Sequence, residues 1–177
     1  MYIMKLRRKA LRNFFIILIL ASIICIPISA KCNDSGTSQK TNLTQYFRNL
    51  SEVEAALKKI GANLDKIAGS DAQPDRAYAL QDLANLCQTS RIQVHSLNSL
   101  YSVVNIVKRE KEFQSKETTV LKEKSGYAYN DFLRRKNFVH DIIVKANDQK
   151  LKDLAYILEA QLNIVLKQLK LIKKELK

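Results

Sequence analysis

Glycine and proline are scarce in this chain, four and two among 177 residues. A sheet of many short strands needs such residues at its turns, so a sandwich or barrel is excluded. Three cysteines are too few for a disulfide scaffold. The glycines stand apart at positions 36, 61, 69 and 126, which leaves no glycine-rich phosphate loop. Histidine occurs only as His95 and His140, and neither belongs to a Glu-x-x-His pair, so the pattern of a di-iron bundle is missing. His140 and Asp141 are neighbours, and adjacent side chains on a helix diverge by about 100°, too far to share one metal readily. No repeat at a solenoid period is present. Cys87 has no base near it in sequence. No enzyme activity, cofactor or metal is expected from this inventory.

What the chain does have is apolar content and positive charge. With 46% hydrophobic residues it can build a core, and its length suits one domain. Lys and Arg number 30 against 17 acids, a net charge of +13. Part of that excess sits in the first thirty residues. Lys5, Arg7, Arg8, Lys9 and Arg12 precede an apolar run from Phe14 to Ile28, broken by Pro27, and Ile28-Ser29-Ala30 offers a cut after Ala30. This is the pattern of a signal peptide. Phe14 to Ala30 is also 17 residues long, at the lower limit of the roughly 17–25 that span a bilayer, so an uncleaved membrane anchor is the alternative. Lipid attachment at Cys25 or Cys32 is a third, disfavoured by the large residues before each. By the positive-inside bias, residues 31–177 are expected outside the cytoplasm: secreted, periplasmic or at the cell surface. That portion holds 25 cations and 17 acids, a net +8.

In such a compartment Cys32 and Cys87 either pair as a disulfide or leave Cys87 as a small buried hydrophobe on an apolar stripe. Asn33, Asn42 and Asn49 begin Asn-x-Ser/Thr triplets, glycan acceptors in a eukaryotic secretory pathway. Residues 31–42 are polar and without periodicity and read as a flexible tether.

From Leu43 onward the pattern is helical. Leu43, Tyr46, Leu50, Val53, Leu57, Ile60, Leu64 and Ile67 recur at alternating steps of three and four, a coiled-coil-like seam. It is expected to stop near Ala68, with Gly69 in the left-handed C′ position, and to resume at Pro74. The second segment repeats the spacing at Leu80, Leu83, Cys87, Ser90, Val94, Leu97, Tyr101 and Val104, with Leu86, Leu100, Ile106 and Val107 widening the stripe. Residues 108–124 are mostly charged and read as either an exposed helical arm or a loop. Ser125-Gly126 reads as the firm break. A third segment follows with Ala128, Phe132, Val139, Ile142 and Ala146, and Asn147-Asp148 kinks or ends it. The last carries Leu151, Ala155, Leu158, Leu162, Val165, Leu169, Ile172 and Leu176. Its lysine-rich end also fits a membrane-surface helix, but the unbroken seam favours a bundle core. The expected fold is all-α: an elongated three- to four-helix up-down bundle over residues 43–177, in preference to one long hairpin folded about Gly126.

One segment has binding character. In residues 127–138, Tyr127, Tyr129, Phe132 and Phe138 alternate with Arg134, Arg135 and Lys136, and Lys122 and Lys124 lie just before. Aromatics beside cations are common at protein interfaces and suit acidic proteins or sulfated glycans. The alternative places Phe132 and Phe138 in the core and the cations on a solvated face. The function expected is a non-catalytic exported bundle that binds an acidic extracellular or host protein or a sulfated glycan through Lys122, Lys124, Tyr127, Tyr129, Arg134, Arg135 and Lys136. The alternative is a membrane-anchored coiled-coil protein that self-associates to assemble or space the envelope. Nucleic acid is disfavoured as a partner, because export removes the chain from most of it.

Overall fold

The computed structural model describes residues 38–107 and 116–176. The signal or anchor segment 1–30, with Cys25, lies outside the described residues, as do Cys32, Asn33 and the charged stretch 108–115. Among the described residues there are four helices and no strand: α1 Ser38–Gly69, α2 Pro74–Val107, α3 Lys116–Lys145 and α4 Gln149–Glu175. No helix among them is long and apolar enough to cross a membrane.

The helices pack in ring order, α1 on α2, α2 on α3, α3 on α4 and α4 back on α1, with α2 and α4 meeting only briefly across the diagonal. Side-chain pairs fix the directions. Thr44 and Tyr101 share a 2.7 Å hydrogen bond near one end of the α1–α2 pair, and Gln81 donates to Asp65 at 3.0 Å near the other. Gln93 to Asp131 with Arg135 to Ser90, and His140 to Glu159 with Lys173 over Tyr129, show the same antiparallel relation for α2–α3 and α3–α4, so α4, joined to α1 through Asn49 and Gln168, runs opposite to it. The result is an up-down-up-down bundle, as the seams predict.

Its core is the set of seam residues. All eight predicted positions of α2, from Leu80 to Val104, are buried, and so are all eight of α4, from Leu151 to Leu176. In α1 the core also takes Phe47 and Ala68, while Tyr46, Ile60 and Ile67 lie half-buried at its margin. Phe47 stacks on Tyr101 with ring centroids 4.0 Å apart. In α3, Leu121, Ala128, Phe132, Val139 and Ile143 point inward.

Four expectations are corrected. Ser125-Gly126 is no break, because α3 runs through both; Leu121 before them and Ala128 after them are buried, and that shared apolar face carries the helix across. This also removes the hairpin about Gly126. The helix α1 begins at Ser38, inside the stretch read as tether, since nothing between Ser38 and Leu43 stops a helix anchored by its seam. Gly69 has no positive φ; instead Ser70 Oγ donates to the Lys66 and Ile67 carbonyls and closes the helix end. Ile106 and Phe138 do not join the core but are 68% and 46% exposed.

Arg76 joins the two short turns at one end of the bundle. Its Nε and Nη2 donate to both carboxylate oxygens of Asp71 at 2.5 and 2.8 Å, and its Nη1 donates to Asp148 at 3.1 Å. Asp71 also accepts from the Gln73 backbone, and Asp148 caps α4 by accepting from the Leu151 backbone at 2.7 Å. The Arg76 hydrogen bond holds the Asp71 carboxyl below its usual value of 3.8, and the Leu151 N–H followed by Arg76 does the same for Asp148. A carboxyl that titrates lower when folded adds stability above its unfolded value and loses it as pH falls through the folded one. Arg76→Ala is therefore expected to lower the melting temperature at pH 7 and to flatten the acid side of the stability curve. Parallel wild-type and variant curves between pH 7 and 3 would refute the clamp.

Candidate functional site

The seven residues expected to bind a partner lie on α3 but not on one face of it. At 100° per residue, Lys122, Tyr129 and Lys136, spaced by seven, form one stripe, which faces α4. Lys173 of α4 sits over the Tyr129 ring, 5.4 Å from its centroid. Tyr127 and Arg134 form a second stripe turned outward, with Tyr127 67% exposed. Lys124 and Arg135 lie on the third side, toward α2. Adjacency in sequence thus separates Arg134, Arg135 and Lys136.

The α2 side is occupied by internal contacts. Arg135 Nη1 donates to the buried Ser90 hydroxyl at 3.1 Å, and its guanidinium lies 5.1 Å from the Phe132 centroid. Burial holds Arg135 below the ordinary guanidinium value, with Asp131 acting against that shift. Asp131 receives Arg134 at 2.5 Å and Gln93 at 3.1 Å, and these bonds, Arg134 first, hold its carboxyl low. Arg134 and Arg135 therefore each have a partner within the bundle, although Arg134 remains exposed.

The α4 side is different. Lys122, Lys136, Lys170 and Lys173 form no ion pair with any described residue, and Glu159 on the same seam has its carboxylate 3.2 Å from His140 Nδ1 instead. The two helical hairpins also differ in charge. Residues 116–176 hold thirteen cations and eight acids, while residues 38–107 hold seven and six. The α3–α4 seam, with Lys122, Tyr129 and Lys136 on one side and Lys170 and Lys173 on the other, is a positive surface whose lysines have no ion pair among the described residues. Lys170 and Lys173 were not expected as site residues, although the spacing of three that places them together is visible in the sequence.

Elsewhere the polar groups serve the fold. Glu54 joins His95 Nδ1 at 3.0 Å and accepts from Asn98 at 3.3 Å, which links α1 to α2. Cys87 has no disulfide partner among the described residues and is fully buried, and burial pushes its thiol pKa up to about 12, which favours the protonated, unreactive form. Asn42 is exposed but helical, and Asn49 is half-buried and donates to Gln168. No three His, Cys, Asp or Glu converge on a metal-sized space among the described residues. A shallow hollow of about 490 Å³ beside Arg76 is lined by Pro74, Asn147, Asp148 and Leu151, but the Arg76 fork there is already satisfied. No known protein family, curated protein or solved structure matches the chain.

Proposed function

We propose that the protein is an exported, non-catalytic helical bundle of the cell surface or envelope that binds an acidic macromolecule, a sulfated glycan or an acidic protein, along its α3–α4 seam. The observation that carries this reading is the set of four unpaired lysines, Lys122, Lys136, Lys170 and Lys173, gathered beside Tyr129 while the α1–α2 hairpin is close to neutral. Cations without a carboxylate partner face water and counterions, so an anionic chain laid along the seam replaces these without breaking an ion pair of the fold. Export is supported by the charged and apolar pattern of residues 1–30. The alternative, an envelope assembly protein held by residues 14–30, is supported by the uncharged face of α2 described below.

Retention on immobilised heparin at physiological salt tests the seam. Changing Lys122, Lys136, Lys170 and Lys173 together to Ser is expected to weaken binding roughly tenfold to a hundredfold, since each exposed charge contact is worth about 0.2–1 kcal/mol. A control with Arg48, Lys58, Lys59 and Lys66 of α1 changed to Ser removes the same charge and is expected to bind nearly as wild type. Equal losses in both variants would reduce the effect to net charge and refute the seam.

A further inference from the structure

We propose that the outward face of α2 is the contact surface of a homodimer, covered by α2 of a second copy. Residues 83–107 contain one formal charge, Arg91, in a chain that is 27% charged. The outward surfaces of the other helices carry Arg48, Lys58 and Lys59 on α1, Glu123 and Asp141 on α3, and Lys167 and Lys174 on α4. A helix face that meets only water is normally charged. On α2 the outward positions are instead Thr89, Ile92, Ser96, Ser99, Val103 and Ile106, with Ile92 51%, Val103 54% and Ile106 68% exposed. They are spaced by 3, 4, 3, 4 and 3, a second seam on the side of α2 opposite its core seam.

Charge selects the occupant. Two copies of a protein with net positive charge repel across every basic face, and the uncharged face of α2 is where they can meet without opposing like charges or burying unpaired ones. An acidic partner gains nothing there and is drawn to the lysines of α3 and α4. The spacing is self-complementary when the two α2 helices run antiparallel. Ile92 then meets Val103 of the second copy, Ser96 meets Ser99, and Thr89 meets Ile106, each pair occurring twice about a two-fold axis. The small central serines let the helices approach closely, and the antiparallel sense keeps the two lysine-rich ends of α4 apart. In this register residues 89–106 of the two helices overlap, a strip about 27 Å long at 1.5 Å per residue. At a helix width near 10 Å it buries on the order of 500–600 Å² in total, well below the standard interface, so the dimer is a weak, reversible one. Because α2 and α4 are diagonal in the bundle, the dimer leaves both α3–α4 seams open on its far sides. The inference does not depend on what those seams bind.

The test is sedimentation equilibrium of the protein purified from cells expressing the full sequence, at 1–200 µM, together with a photocrosslinking residue placed at Ile92. A concentration-dependent dimer is expected, with crosslinks from position 92 to the region of Val103 of a second chain. Ile92→Arg with Val103→Arg is expected to weaken the dimer at least tenfold while leaving the helical circular dichroism signal intact, since both side chains are more than half exposed. A monomer throughout the range, a dimer unchanged in the double variant, or crosslinks confined to the chain's own N-terminal residues or to lipid would each overturn the proposal. Sedimentation of the four-lysine serine variant separates the two readings: a protein that still dimerises but no longer binds heparin supports both the seam and the α2 interface.

Discussion

Replacing Phe132 with alanine is expected to destabilise the bundle by roughly 3–5 kcal/mol, the cost of emptying a fully buried aromatic site. Phe132 is the largest of the fully buried side chains and lies at the middle of α3, where it faces the core from the less extensively packed α2–α3 side. Its ring also supports Arg135, whose guanidinium rests over it and reaches Ser90. With the ring gone, the half-buried cation loses its apolar floor and must either rotate to water or remain poorly solvated. The loss is large against the roughly 5–15 kcal/mol that holds an ordinary domain together. Urea unfolding followed by circular dichroism measures it. Phe132→Leu keeps most of the volume and is expected to lose less than half as much. A cost below about 1 kcal/mol for the alanine variant would place Phe132 outside the core.

The sequence makes this core legible because a seam is a local property. The step of three and four that marks Leu80 to Val104 and Leu151 to Leu176 needs no knowledge of a partner helix, and burial follows it closely. Partners across helices are another matter. Glu54 with His95, Glu159 with His140 and Arg76 with Asp148 are separated by 41, 19 and 72 residues, and nothing in their spacing pairs them. The basic segment 134–136 misleads for a related reason, since consecutive residues on a helix point in different directions and only the stripe Lys122, Tyr129, Lys136 stays together. Ser125-Gly126 misleads because turn composition is a weak preference. Glycine in a helix costs about 1 kcal/mol, and the burial of Leu121, Ala128 and Phe132 on one continuous face outweighs it. Among the described residues the fully buried Ser125 hydroxyl has no hydrogen-bond partner, a further cost that the same packing absorbs.

The two glycines in helix interiors, Gly61 and Gly126, are expected to respond differently to the same substitution. Gly126 lies in the interior of α3, and a Cβ built on it meets nothing within 4 Å. Gly126→Ala should therefore stabilise the protein by about 1 kcal/mol, partly by restricting the unfolded chain and partly through helix propensity. Had the chain turned at Gly126, as its composition suggests, the same change would bring no such gain. Gly61 is buried where α1 meets α2, and its added Cβ would stand 3.2 Å from Cys87 Cβ, an atom fixed to the backbone of the neighbouring helix. To admit it, α1 and α2 must separate by a few tenths of an ångström along a fully packed seam. Gly61→Ala is expected to show no gain, the propensity benefit being offset by that strain. Gly61→Leu, which cannot be accommodated by so small a shift, is expected to cost about 1–3 kcal/mol by overpacking. Cys87→Ala leaves the Cβ in place, so it should not rescue Gly61→Ala, whereas Cys87→Gly should recover part of the lost propensity benefit in the double variant. Equal stabilisation by alanine at both glycines would mean that α1 and α2 do not approach as closely at Gly61 as the packing of Cys87 requires.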